Sequence, residues 1–189
     1  MDMRKSEKMR IPAVIDQGRD YQCAISALHA HYKEFLELKA SGGELVTDTA
    51  DRYVLGYPVP PFQRELVWTE QQEVAFIESV WLGLPIGTYN LHQMSWSNES
   101  KQTRGISAEK FSGWLIDGQQ RLNTIERYWN DEFTVFGLLW SELERPDVIR
   151  FKNTKFPYFE SSLWDEEEIR KLYNLMAFGG TNHKESERA

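Results

Sequence analysis

The stretch Trp114-Leu115-Ile116-Asp117-Gly118-Gln119-Gln120-Arg121-Leu122 constrains the fold of this chain more than any other. Its three large apolar residues in succession predict a short buried strand. The glycine lets the backbone turn tightly, after which Leu122, Ile125 and either Tyr128 or Trp129 recur at helical steps. A strand therefore hands over to an amphipathic helix through five polar residues.

A junction of this kind suits an anion. The first amides of a helix lack internal partners and point at whatever sits before them. Arg121 adds a planar charged fork matched to phosphate oxygens, and Gln119 and Gln120 add amide donors without negative charge. Asp117 is a candidate ligand for a divalent cation, or a proton acceptor, because phosphoryl transfer uses a metal to offset charge on the phosphate oxygens. Taken alone, the pentapeptide reads first as a helix capped by Asp117, with Arg121 in a surface ion pair. Its neighbours tip the balance. Gln63-Arg64 follows Val59-Pro60-Pro61, an arm held extended by its prolines, and such an arm presents a polar pair to a nearby turn at small entropic cost.

The rest of the chain predicts a mixed architecture. Tyr21, Ile25, Leu28, Tyr32 and Phe35 mark one face of a first helix that ends at Gly42-Gly43. Its histidines, His29 and His31, are two residues apart and so point in different directions, which excludes a two-histidine metal face. Thr69 and Gln72 form a capping-box pattern ahead of Val74, Ile77 and Trp81, and Gly83 and Pro85 stop that helix. On it, Glu78 is a candidate metal ligand or base at the edge of the core. Residues 86–94 read as a strand, 95–112 as a polar loop, and Phe133 to Phe136 as a further strand. Tyr158-Phe159 reads as an edge strand, and Asp165 to Glu168 open a last helix that ends at Gly179-Gly180. His183, in the polar tail, is a candidate for binding phosphate or shuttling a proton.

Composition narrows the function classes. A chain of 189 residues supports one core, with residues 1–45 as an N-terminal extension and helix packed as one unit with a domain over 46–189. Its net charge of −7 is the wrong sign for gripping nucleic acid over the whole surface, so contact with DNA is local or made through a partner. The single cysteine, Cys23, excludes a disulfide framework, fits a reducing cytoplasm, and reads as a small buried residue on the first helix. No apolar run approaches membrane-spanning length, and the polar start Met1 to Lys5 lacks the hydrophobic region of a signal peptide.

Three segments, Pro61 to Trp68, Phe76 to Gly87 and Ile116 to Leu122, together resemble the N-terminal domain of the GmrSD modification-dependent restriction enzymes. The likeness covers residues 50–130 well and continues weakly through the tail from Asn174. It implies a ParB/sulfiredoxin-like α+β fold, a small mixed sheet flanked by helices, here with an additional N-terminal helix. Sulfiredoxin itself is excluded, since its catalytic cysteine would fall within Gly118 to Arg121, where this chain has none. By the resemblance Gly118 to Arg121 occupy the phosphate-binding turn of a nucleotide-binding fold and Glu78 lies on the helix before the central strand. Joined to the residue reading, the expected ligand is an NTP, ATP or GTP, with Mg²⁺ on Asp117, bound by Gln63, Arg64, Gly118, Gln119, Gln120, Arg121 and His183, with Asp117, Arg121 and Glu78 as the catalytic set. In those enzymes NTP hydrolysis serves an HNH-type nuclease domain. No second domain with paired histidines follows here, so the expectation is a chain that does not cut DNA by itself. Hydrolysis within a bacterial or phage DNA system is one expectation. Transfer of a phosphoryl group to a hydroxymethylated base, with Lys101, Arg104 and Lys110 touching DNA, is a second, and a non-catalytic nucleotide switch is a third.

Overall fold

The computed structural model describes residues 17–42, 50–93, 111–163 and 165–178. Among these residues six short strands and five α-helices are interspersed in an α+β arrangement. Four strands form the main sheet, in the order β1 (Arg19–Tyr21), β6 (Tyr158–Ser161), β4 (Tyr89–His92) and β5 (Trp114–Asp117). The central pair β4 and β6 is parallel and both outer pairings are antiparallel, so the sheet is mixed. A two-residue hairpin of β2 (Tyr53–Val54) and β3 (Tyr57–Pro58) stands apart from it.

Strand β5 is apolar on both sides because both sides are covered. Leu115 enters the main core, while Trp114 and Ile116 point the other way, into a second cluster with Phe111, Ile169 and Tyr173. Ile169 and Tyr173 belong to α5 (Glu166–Phe178), which closes that face. On the opposite face lie α2 (Glu70–Leu82) and α3 (Gln119–Trp129), whose Ile77, Val80, Leu122 and Ile125 are almost completely buried. The N-terminal helix α1 (Ile25–Ala40) adds Ile25 and Leu28 to the same core, and α4 (Arg145–Asn153) adds Phe151. No helix among the described residues is long and apolar enough to cross a membrane.

Local rules account for the helix ends. Thr69 caps α2 through the capping box with Gln72, as its sequence predicts, and Gly83 closes it in the left-handed conformation. Other expectations are corrected. Tyr21 is not helical: it lies on β1, opposite Tyr158, and stacks on its ring at 4.9 Å. Phe133 to Phe136 is no strand, because Phe136 and Gly137, both at positive φ, reverse the chain at once and leave only the bridge between Val135 and Leu138. Strand β6 is central rather than an edge, since β1 supplies its second neighbour. Cys23 precedes α1 and is half-buried. Most of the polar loop, with Lys101, Arg104 and Lys110, and the terminating Gly179-Gly180 lie outside the described residues.

Candidate functional site

The end of β5 and the start of α3 open on a cleft of about 210 Å³ lined by residues from three directions. Asp117 to Arg121 form its floor, Gln63, Arg64 and Trp68 come from the proline arm, and Tyr173, Met176 and Ala177 come from α5. A second cleft of about 480 Å³, with Gly87, Thr88, Leu172 and Leu175 in its walls, shares Asp117, Arg121 and Met176 with the first.

Gly118 makes the floor possible. Its φ of 99° is left-handed, and a Cβ there would sit 2.6 Å from Tyr89 Cβ, so only glycine fits. The first helical bond runs from Leu122 N–H to Gly118 O at 3.0 Å, which leaves the earlier amides without helical partners. No side chain caps this end and no acidic residue occupies its first turn, so the only carboxylate of the junction is that of Asp117, just ahead of the helix. Asp117 is therefore not the cap. It accepts a hydrogen bond from Arg121 Nη2 at 2.8 Å, both side chains being about one quarter exposed. Of the two parts of the reading as a capped helix, the ion pair of Arg121 forms, with Asp117 itself, and the aspartate cap does not. The Arg121 guanidinium packs over Gly87, where a Cβ would approach Nη1 to 2.7 Å.

The three glutamines are used differently from their sequence expectation. Gln63 is 4% exposed and gives its amide to the carbonyls of Leu115 and Ile116, the latter at 2.9 Å, satisfying an edge of the sheet where no further strand pairs. Gln119 Nε2 donates to Arg64 O at 2.6 Å. Gln120 binds the arm three times, donating to Glu65 O at 3.0 Å and accepting from Val67 and Trp68 N–H at 3.0 and 3.2 Å. These amide donors are spent on main chain because the arm lies against the turn with no strand partner of its own. Two buried oxygens, Gln63 Oε1 and Gln119 Oε1, have no hydrogen-bond partner among the described residues.

Arg64 lies at the mouth, exposed, and no ion pair is recorded for its side chain among the described residues. The fold thus brings Gln63, Arg64, Asp117, Gly118, Gln119, Gln120 and Arg121 together. It does not bring Glu78, which is half-buried on α2 and lines neither cleft. The buried carboxylate of that helix is Glu73, paired with Arg127 of α3. His183 lies outside the described residues. Sequence reasoning passed over Tyr173, whose helical spacing marks it only as core, and gave no role to Gly87, although the glycine after Leu84-Pro85-Ile86 signals a turn. His29 and His31 are confirmed apart from the site: His31 stacks on Tyr57 at 3.9 Å, His29 meets Trp129 edge-on, and burial lowers both pKa values. Among the described residues no three His, Cys, Asp or Glu side chains group as a metal site.

Fold and site together define a mixed α+β domain built on a strand-glycine-helix junction that an extended arm clasps from outside. The family model of the GmrSD restriction endonuclease N-terminal domain matches residues 43–187. The chain belongs to that family, which points to a component of a bacterial or phage restriction system. No curated protein and no solved structure matches it.

Proposed function

We propose that this chain binds a nucleoside triphosphate with Mg²⁺ and hydrolyses it, in the cytoplasm, as a regulatory part of a restriction system. On this reading the fold is of the ParB/sulfiredoxin-like kind. One observation carries the proposal: Arg64, Arg121 and the uncapped start of α3 converge on a single cleft that also holds Asp117. Two guanidinium groups and a row of free amides make a seat for a polyanion, and one carboxylate beside them suits a cation that arrives with phosphate. Mg²⁺ keeps several waters and takes one or two protein carboxylates, so the absence of a larger acidic group among the described residues fits a metal carried in on the nucleotide.

The adjoining larger cleft, with Leu172, Leu175 and Met176 on one side and Gln17 and Thr88 among its polar lining, has the room and the mixed lining to seat a nucleoside next to phosphates in the smaller one. Arg121 and Asp117, common to both, would then stand at the phosphates nearest the sugar.

The test is incubation of the purified protein with labelled ATP or GTP and Mg²⁺, with and without base-modified DNA. Free phosphate is the expected product, whereas label on DNA marks a kinase and binding without turnover marks a switch. Arg64→Ala and Arg121→Ala are each expected to weaken nucleotide binding ~10-fold or more, as loss of a charge-assisted hydrogen bond implies. Unchanged binding in both variants would overturn the proposal.

A further inference from the structure

We infer that Tyr173 and Gln119 are positioning residues that hold Arg64 over the anion seat, an inference that rests on the nucleotide reading above. Arg64 is gripped by its peptide groups from two separate elements. Its N–H donates to Tyr173 Oη of α5 at 3.0 Å, and its carbonyl accepts from Gln119 Nε2 of α3 at 2.6 Å. Arg52 Nη2 adds a second donor to that carbonyl at 3.3 Å. The side chain itself is exposed at the cleft mouth. A residue held by its main chain on both sides, with its charged head left at a cleft, has its Cα fixed while its guanidinium keeps its freedom.

That arrangement serves an anion that must be met from one direction. A guanidinium on a loose arm spreads its charge over many positions, and each ordered torsion costs free energy when ligand binds. The clamp removes the backbone share of that cost in advance. Tyr173 is well placed for it: its ring is 5% exposed, packs against Phe62 at 5.8 Å between centroids, and carries its hydroxyl to the cleft. Gln119 links the clamp to the floor, because the same residue contributes the first backbone amide of α3.

Tyr173→Phe keeps the ring and removes only the hydroxyl, so it separates the clamp from packing. Binding of Mg²⁺·ATP and of Mg²⁺·GTP would be measured by calorimetry in the unmodified protein, Tyr173→Phe, Arg64→Ala and the double variant, with thermal unfolding alongside. The expected result is a loss of about 5- to 10-fold in affinity from Tyr173→Phe when Arg64 is present, and no further loss when Arg64 is alanine. A merely structural hydroxyl would lower affinity equally in both backgrounds, and that result overturns the inference. So does full affinity in Tyr173→Phe while Arg64→Ala binds weakly. If the unmodified protein binds neither nucleotide, the nucleotide reading falls together with this one; the two failures are thereby distinguished.

Discussion

Arg121 Nη2 and Asp117 Oδ2 are 2.8 Å apart, so the cation and the carboxylate that face the cleft neutralise each other in the unliganded protein. A magnesium-bound phosphate would change both partners at once, phosphate taking Arg121 and the metal taking Asp117. Asp117→Asn is expected to free Arg121 and so strengthen triphosphate binding ~3- to 10-fold without Mg²⁺, while Mg²⁺ ceases to help. Titration of a fluorescent nucleotide with and without EDTA checks this. Equal weakening under both conditions counts against it.

Gly87 and Gly83 form a matched pair for testing the seat of Arg121. Both sit at left-handed φ, 77° and 69°, but a Cβ on Gly87 would meet Arg121 Nη1 and one on Gly83 would meet nothing within 4 Å. Alanine at either position is expected to cost ~1 kcal/mol of stability from backbone strain. Only Gly87→Ala should also weaken nucleotide binding. Melting curves and binding titrations on the two variants decide whether the glycine serves the guanidinium.

Gln120 is the main fastener of the arm, through Glu65 O, Val67 N–H and Trp68 N–H. Truncation to alanine leaves these groups to find water, and each lost bond costs ~1 kcal/mol net. The amides of Val67 and Trp68 should then exchange with deuterium ~10-fold faster or more, while those in the core of α2 keep their protection. Exchange read by mass spectrometry on peptides spanning 60–70 tests this, and an unchanged rate would show that the arm is held by other means.

Glu126 gives the fold a pH dependence. Burial pushes its carboxyl above the usual 4.5, despite the hydrogen bond it accepts from Leu55 N–H at 2.5 Å. The folded state therefore keeps this proton to higher pH than the unfolded chain does. Between 4.5 and the raised value the unfolded state binds fewer protons, so this group's contribution to stability falls as pH rises through that window. Glu126→Gln still accepts from Leu55 but does not titrate. The stability difference between the unmodified protein and this variant, from urea unfolding across pH 4 to 8, should shift against the unmodified protein as pH increases.

Much of the candidate site was legible in the chain itself. The apolar run Trp114-Leu115-Ile116, the glycine after Asp117 and the helical spacing beyond it specify the junction through local rules alone. Thr69 and Gln72 specify the start of α2 in the same way, their side chains lying within one turn of each other. The proline arm was legible as extended, and the family likeness through Gln63-Arg64 and Gly118 to Arg121 tied it to the turn.

Partnership was not legible, because hydrogen bonds between residues more than 50 positions apart leave no mark on local spacing. Only the tertiary structure decided that Gln119 and Gln120 face the arm, that Tyr173 reaches Arg64, that the buried carboxylate of α2 is Glu73 and not Glu78, and that β6 lies inside the sheet. The sequence by itself determined that a strand must turn on Gly118 into a helix whose first amides are free. Which side chains stand around those amides was settled by packing, since main-chain groups buried at the end of an edge strand take their partners from whichever element lies closest.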